Sequence, residues 1–275
     1  MRKNDKAMQW TKVVILAIGA FFMLVPFVWL AVTAFKTPGE LTKWPPVFLP
    51  ETLRWDNFRE VFRAAPFDLY FRNSLMMASL SSLMIALSSS IAGYIFAKFH
   101  FKGRSFLFAL ILATAIVPFE IYMIPLYLQL QQLNLINTFF GLVMPYFVMS
   151  FGIFFMRQNI MQQIPDEIIE SARVEGSSEW RTFFRIILPL CAPPIGALAI
   201  FSFIEAWNSF VWPLLVLNDN ELYTMEIGLA MFQTSFGIDM NLTSAGSLVS
   251  IVPILIVFAI LRRRIIESIS MTGLK

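Results

Sequence analysis

Two carboxylates stand inside long apolar runs: Glu120 within 106–130 and Glu205 within 189–217. A carboxylate inside a bilayer is costly and is kept where it faces a cavity or a partner. Proline accompanies both. Pro118 and Pro125 share the first run, and Pro193, Pro194 and Pro213 share the second. Proline removes a backbone donor and kinks or breaks a helix. Broken, polar-bearing helices near mid-membrane are typical of solute pathways. The pattern therefore points to passage of a polar solute rather than to bond-making chemistry.

The candidate pathway residues are Glu120, Tyr122, Glu205, Trp207, Asn208 and Trp212. Each has a second reading. The carboxylates could sit near the outer interface, partly hydrated. The aromatic residues, with Tyr127 and Tyr146, could form an interfacial belt or stack on sugar faces in an outer vestibule. Catalysis finds no support. His100 is the only histidine and Cys191 the only cysteine, which leaves no catalytic triad, metal cluster or disulfide framework. No GxxxxGK[ST] stretch occurs, so the chain itself binds no ATP through a P-loop. A net charge of +3 gives no argument for nucleic acid. No cofactor and no metal are expected on this chain.

The elements that position these residues follow from hydropathy. The chain is 57% hydrophobic and 14% charged, well short of the roughly 25% charge of a soluble domain. Six apolar stretches are long enough to cross a bilayer: 13–35, 74–97, 106–130, 138–156, 189–217 and 244–261. The apolar core of the first exceeds that of a cleaved signal peptide, so it reads as a retained span. The fold class is thus an all-α integral membrane protein with six transmembrane helices in one domain.

Basic residues orient it. Arg2, Lys3, Lys6 and Lys12 precede the first span, and Lys98, Lys102 and Arg104 follow the second. Arg157, Arg173, Arg181 and Arg185 lie between spans four and five, and Arg262, Arg263, Arg264 and Lys275 follow the sixth. These segments read as cytoplasmic, and both termini with them. The opposite side holds the long loop 36–73, where basic and acidic residues mix, and the loop 218–243, which is acidic through Asp219, Glu221, Glu226 and Asp239.

Span two carries Ala78, Ser82, Ala86 and Ser90, continuing to Gly93 and Ala97. Spacing by four stacks them on one face, where another helix can approach closely. In the loop 36–73, Pro38, Pro45, Pro46 and Pro50 predict an extended first half. Asp56 is placed to cap a short helix bearing Phe58, Val61, Phe62 and Ala65 on one face and Arg59, Glu60 and Arg63 on the other. That helix would lie on the outer surface or form a platform for an external partner.

The inner segment 157–188 has the strongest punctuation. Pro165 suits a first helical position, and Asp166 and Glu167 suit a positive helix start. Gly176 is a natural stop. Ser177 or Ser178 can cap a second helix that begins near Glu179, runs toward Leu188 and ends at Pro189. A structured inner loop of this length reads as a docking element for a soluble partner, the alternative being an amphipathic connector.

Within it stand Glu170-Ser171-Ala172, then Gly176 after three intervening residues, then Ile186-x-Leu188-Pro189 after nine more. This resembles the EAA loop, E-A-A-x3-G-x9-I-x-L-P, of permease subunits in binding-protein-dependent ABC importers. Ser171 replaces the middle alanine, small for small. Phe71-Arg72-Asn73-Ser74, the Pro-x-Glu…Ile-Pro-Leu-Tyr pattern at 118–127, Trp207-Asn208…Trp212-Pro213 and the closing Thr272-Gly273-Leu274-Lys275 extend the likeness over the chain. They are similar to the second permease of carbohydrate importers of maltose and glycerol-phosphate type.

The resemblance implies a type I ABC importer permease fold with a coupling helix between spans four and five. It implies a bacterial inner-membrane complex with a homologous second permease, two ATP-binding subunits that hold ATP-Mg, and an extracytoplasmic solute-binding protein. Asp166, Glu170, Ser171, Ala172, Arg173, Gly176, Leu188 and Pro189 would form the ATPase-coupling loop. Asp219, Glu221 and Asp239 would lie in a loop that meets the binding protein, and the C-terminal tail would reach the ATPase. Sugar or oligosaccharide is the implied solute, with a glycerol-phosphate or polyol as the alternative. A self-sufficient channel or secondary transporter would need an inverted repeat, and a membrane enzyme would need a nucleophile or metal cluster. Neither is visible.

Overall fold

The computed structural model describes the backbone of residues 2–234 and 237–272, and the side chains of residues 8–232 and 239–262. Arg2, Lys3, Lys6, Arg263 and Arg264 and the motif-bearing tail 272–275 lie outside the residues whose side chains are described. The helices are α1 (Arg2–Ala34), α2 (Pro38–Leu41), α3 (Asp56–Ala64), α4 (Phe67–Lys98), α5 (Arg104–Thr114), α6 (Phe119–Gln132), α7 (Phe139–Val143), α8 (Ser150–Gln163) and α9 (Asp166–Val174). There follow α10 (Glu179–Thr182), a π turn (Phe183–Ile187), α11 (Leu188–Leu190), α12 (Ala192–Trp207), α13 (Val211–Val216), α14 (Met225–Ala230) and α15 (Met240–Thr272). Two short strands, β1 (Gln233–Thr234) and β2 (Gly237–Ile238), pair antiparallel ahead of α15. The chain divides into one unit of residues 1–67 and 228–252 and a second of residues 68–227 and 253–275.

Three helices are long and apolar enough to cross a bilayer alone: Met8–Ala34, Phe67–Lys98 and Met240–Arg262. They contain the expected spans 74–97 and 244–261, and the first ends one residue short of the expected 13–35. Two of the other expected spans, 106–130 and 138–156, fall on bent pairs, and a third bent pair overlaps only the first part of the expected 189–217, whose residues 208–217 lie beyond it and include α13. Arg104–Thr114 meets Phe119–Gln132 at 98°, Phe139–Phe147 meets Ser150–Gln163 at 42°, and Glu179–Leu190 meets Ala192–Trp207 at 78°. The described residues give six crossings only if each bent pair counts as one. Proline marks these breaks. Pro118 ends the first gap as the residue before α6, Pro145 opens a 3-10 turn after α7, and Pro193 enters the first turn of α12. A first turn tolerates proline because its N–H has no helical acceptor there.

In the second unit, α4 is the central strut. Ala78 and Ser90 are almost fully buried, and Ser82, Ala86 and Ala97 nearly so. A Cβ placed on Gly93 would stand 2.8 Å from Met156 Cβ and 2.9 Å from Arg157 N, so α8 crosses α4 at backbone distance there. Ser82 Oγ donates to Ala199 O at 2.8 Å, which ties α4 to α12. The small-residue stripe is therefore packed within this chain. One cluster, including Tyr94, Met156, Ile160, Ile169, Phe183 and Leu198, joins α4, α8, α9 and α12 near the inner loop. Another, including Leu130, Leu142, Trp212 and Val216, joins α6, α7 and α13.

In the first unit the loop 36–73 departs from expectation. Pro38 does not extend the chain. It starts α2, and Thr37 and Glu40 form a reciprocal capping box around it. Glu40 Oε2 accepts from Thr37 N at 2.7 Å, and Oε1 accepts from Glu51 N at 2.6 Å. These backbone donors hold its carboxyl at about 2, below the usual 4.5. Asp56 is not a cap. The helix starts at Asp56 itself, and its carboxylate pairs with exposed Arg59 at 3.2 Å. α3 keeps one face exposed and is tied to the end of α1 by the other. Val61 is fully buried, and the buried Asn57 Nδ2 donates to Ala34 O at 2.8 Å and Lys36 O at 2.9 Å. The carbonyls at the end of α1 have lost their helical donors, and an amide side chain from α3 supplies them. Lys36 is buried as well, donating to Val47 O at 2.6 Å under the Trp29 ring.

Candidate functional site

The segment 157–188 forms two helices with a tight turn between them. α9 buries Ile169 and Ala172 and exposes Glu170 and Ser171. Asp166 opens it, following Pro165 in the cap position. At its end Gly176 takes φ +78°. Gly176 N donates to Arg173 O at 3.0 Å and Ser177 N to Ala172 O at 2.9 Å. This pair of bonds is a Schellman cap, which needs a left-handed residue at the glycine position. Ser178 then caps α10, accepting from Arg181 N. Across the turn Arg173 Nε donates to Glu179 Oε1 at 2.7 Å, and Glu179 Oε2 accepts from Tyr94 Oη of α4 at 3.1 Å.

The loop is also clamped at its start. Lys98 Nζ, at the end of α4, donates to Ile164 O at 2.5 Å and to Asp166 Oδ1 at 2.6 Å. That hydrogen bond and the ammonium charge hold the Asp166 carboxyl below its ordinary range. Lys98 is only 7% exposed at its side chain, and the sequence marked it merely as an orienting charge.

One expectation fails here. Pro189 does not end the second helix. The helix continues through Phe183–Ile187 as a π turn and through Leu188–Leu190, and only Cys191 breaks it before α12. A proline ring collides with the carbonyl four residues earlier. The wider turn occupies that stretch and relieves the collision, so Leu188 and Pro189 sit inside a continuous path from the loop to the membrane. A second feature went unread. Val174 (89% exposed), Trp180 (64%) and Phe184 (49%) leave apolar side chains uncovered around the turn.

The pathway candidates separate into two groups. Glu120, Tyr122, Glu205 and Trp212 line one cavity of about 990 Å³, together with Tyr146 and Ser209. Glu120 stands in the first turn of α6, where the broken helix presents its positive end. Glu205 lies at the far end of α12. Tyr122 is within electrostatic reach of both carboxylates. Trp212 only borders the space. It is buried, and its Nε1 donates to Leu142 O at 3.1 Å. Trp207 and Asn208 are not brought to the cavity. Trp207 is buried between a stacked Phe203 and the edge of Phe71, and Asn208 is the exposed cap of α12. Residue type placed them in a span but could not assign their sides.

In the acidic loop 218–243, Asp219 caps a short 3-10 turn by accepting from Glu221 N at 3.0 Å. Asn73 Nδ2 donates to Glu221 O at 2.8 Å and Tyr223 O at 3.1 Å, and Tyr70 hydrogen-bonds Asn220. The motif residue Asn73 is thus what holds this loop on the start of α4. Asp239 belongs to the other unit, where it precedes α15 and accepts from Leu242 N at 3.5 Å. Among the described residues no group of acidic, histidine or cysteine side chains could hold a metal ion.

The profile of the binding-protein-dependent transport system inner membrane components matches residues 89–269. The chain belongs to this family. Over its full length this permease is 36% identical to the arabinooligosaccharides transport system permease protein of Halalkalibacterium halodurans, covering 99% of that protein. It is 31% identical to a diacetylchitobiose uptake system permease protein of Streptomyces coelicolor, over 93% of this chain and 85% of the relative. Its fold matches a crystal structure of a bacterial ABC transporter involved in import of the acidic polysaccharide alginate, at a TM-score of 0.80 and 20% identity. That match covers 96% of this permease and 98% of the matched chain. The all-α importer permease fold expected from the sequence is therefore the fold of this chain.

Proposed function

We propose that this permease forms half of a translocation pathway for a sugar or oligosaccharide and takes its driving force from an ATPase docked on the α9–α10 turn. The observation that carries the reading is the turn itself. It is capped at both helices and clamped by Lys98, yet it exposes Glu170 beside an apolar patch of Val174, Trp180 and Phe184. Exposed apolar groups rimmed by charge mark an interaction site. In this reading Glu170 pairs with a basic residue of the ATPase. ATP-Mg resides on two such partner subunits, and this chain performs no catalysis and binds no cofactor.

Closure of the ATPases would push on α9 and α10. Because the path continues into α11 and bends once before α12, the push would turn the helix that carries Glu205. A homologous second permease supplies the other half of the pathway, and a solute-binding protein docks near Asp219 and Glu221. The EAA-type turn and both termini face the cytoplasm. Coupling is reciprocal, since docking of a loaded binding protein and closure of the ATPases bias one equilibrium.

Relatives named for arabinooligosaccharides and diacetylchitobiose support a carbohydrate solute. The cavity agrees. Its ionisable lining is Glu120, Glu205 and tyrosines, which suits hydroxyl-rich neutral solutes and disfavours a glycerol-phosphate. The test is uptake by membrane vesicles carrying the assembled complex, with Glu170→Lys against wild type. Loss of binding-protein-stimulated ATP hydrolysis with the complex still assembled is expected. Unchanged stimulation and uptake would reject the coupling role.

A further inference from the structure

A second cavity, of about 480 Å³, lies in the unit of residues 68–227, at the end of α4 that also carries Lys98 and the clamped α9. It is lined by His100, Arg104, Ser105 and Arg157, with Phe106 and Phe108. Its charge is one-sided, because no carboxylate lines it and neither arginine makes an ion pair among the described residues. Both guanidiniums are held in place. Arg104 Nη1 donates to Phe99 O at 3.1 Å, and Arg157 Nε donates to Phe96 O at 3.1 Å while its guanidinium lies 4.3 Å from the Phe108 ring centroid. The Nη groups of Arg157 have no protein acceptor among the described residues. Two half-buried, like-charged groups without a counter-ion are a costly arrangement that an anion relieves.

The apolar wall identifies the anion's carrier. Phe106, which lines the cavity, is 71% exposed, and Leu110, one helical turn further along α5, is 54% exposed. A soluble phosphate has no use for such a wall, whereas an acyl chain does. Basic pockets between helices at the cytoplasmic face bind anionic lipid headgroups.

We propose that this cavity takes the phosphate of an anionic phospholipid from the cytoplasmic leaflet, with its chains along Phe106 and Leu110. The proposal rests on the orientation given above, which places this end of α4 at the cytoplasmic face. The lipid would brace the corner of α4, α5 and α8 next to the coupling turn.

The experiment uses the assembled complex in nanodiscs of phosphatidylglycerol or phosphatidylcholine, released and weighed by native mass spectrometry. Retention of phosphatidylglycerol about thirty-fold over phosphatidylcholine is expected from two arginines. Arg104→Gln with Arg157→Gln should abolish the preference, and the paired lysine substitutions should keep most of it. Because both arginines also hold carbonyls of α4, Ser105→Trp provides a variant that fills the cavity and leaves those bonds intact, with the same loss expected. Equal retention of both lipids, or a preference untouched by Ser105→Trp, would overturn the proposal, and so would displacement by soluble glycerol 3-phosphate. A photo-crosslinker in place of Phe106 should yield a lipid adduct, and an adduct to a second polypeptide would overturn it. Labelling of Lys102→Cys by an impermeant reagent separates the two readings. Labelling from outside the cell defeats the orientation, whereas labelling only from the cytoplasmic side without lipid preference defeats this proposal alone.

Discussion

Lys98 Nζ lies 2.6 Å from Asp166 Oδ1, joining the last residue of α4 to the first residue of α9. The aspartate is 71% exposed, so the pair by itself is worth little, about 0.5 kcal/mol. The lysine is buried and also holds Ile164 O. Lys98→Met should therefore cost more than Asp166→Asn, about 1–2 kcal/mol, because it strands a buried carbonyl. Hydrogen exchange across 164–176 should rise in the first variant and barely move in the second. The sign with pH follows from the depressed Asp166 carboxyl. Its contribution is present above the ordinary aspartate range and is lost as pH falls through the lower folded value, so Asp166→Asn should flatten that acid-side loosening.

Gly176 carries the second prediction. Nothing would touch a Cβ there, so the cost of substitution is purely conformational. An L-residue in the left-handed region costs about 1 kcal/mol, asparagine least and β-branched residues most. Gly176→Asn should retain most binding-protein-stimulated ATP hydrolysis, and Gly176→Val should lose most of it while the complex still assembles. Equal activity in the two would detach the turn's geometry from coupling.

Trp212 and Tyr122 should behave differently although both border the large cavity. Trp212→Phe removes the bond to Leu142 O from a buried site and should lower stability by about 1 kcal/mol or more. Tyr122 is 44% exposed, with its ring edge-on to Phe119 at 5.1 Å. Tyr122→Ala should leave the melting temperature nearly unchanged and reduce sugar uptake at fixed ATP turnover. Thermal unfolding and vesicle uptake, measured on both variants, check the division.

Outside the inner loop, Asn57→Leu leaves Ala34 O and Lys36 O without their donor and should destabilise the first unit by about 2 kcal/mol. Glu40 adds a pH signature. Its carboxyl is held at about 2 by backbone donors, so its contribution is full above about 4.5 and fades as pH drops toward 2. Glu40→Gln should remove that dependence, read as exchange of the amides of residues 37–51 between pH 6 and pH 3.

What could be read from sequence follows the range of the interaction. The small-residue stripe of α4 and the Schellman turn at Gly176 are local, set by spacing within a few residues, and both were legible. So was the inner loop, whose punctuation and motif coincide. Asn57, Lys98 and Asn73 act on carbonyls or carboxylates 21 to 150 residues away, and no window of sequence shows such partners. Trp207 and Trp212 differ only in which side of a helix faces the cavity, which hydropathy does not encode. Pro189 misled because a proline stops a helix only if the preceding turn stays α-helical.

The π turn at Phe183–Ile187 holds one residue more than an α turn would. Each helical residue advances the chain by about 100°. The extra one therefore sets the rotational phase between the outward face of Trp180 and the face of α12 that bears Glu205. Deleting a single residue there would shorten the nine-residue spacing after Gly176 or break the Ile186-x-Leu188-Pro189 run, and would turn the exposed face of Trp180 out of its present alignment with the cavity wall. The relative facing of Trp180 and Glu205 is stored in a count of residues.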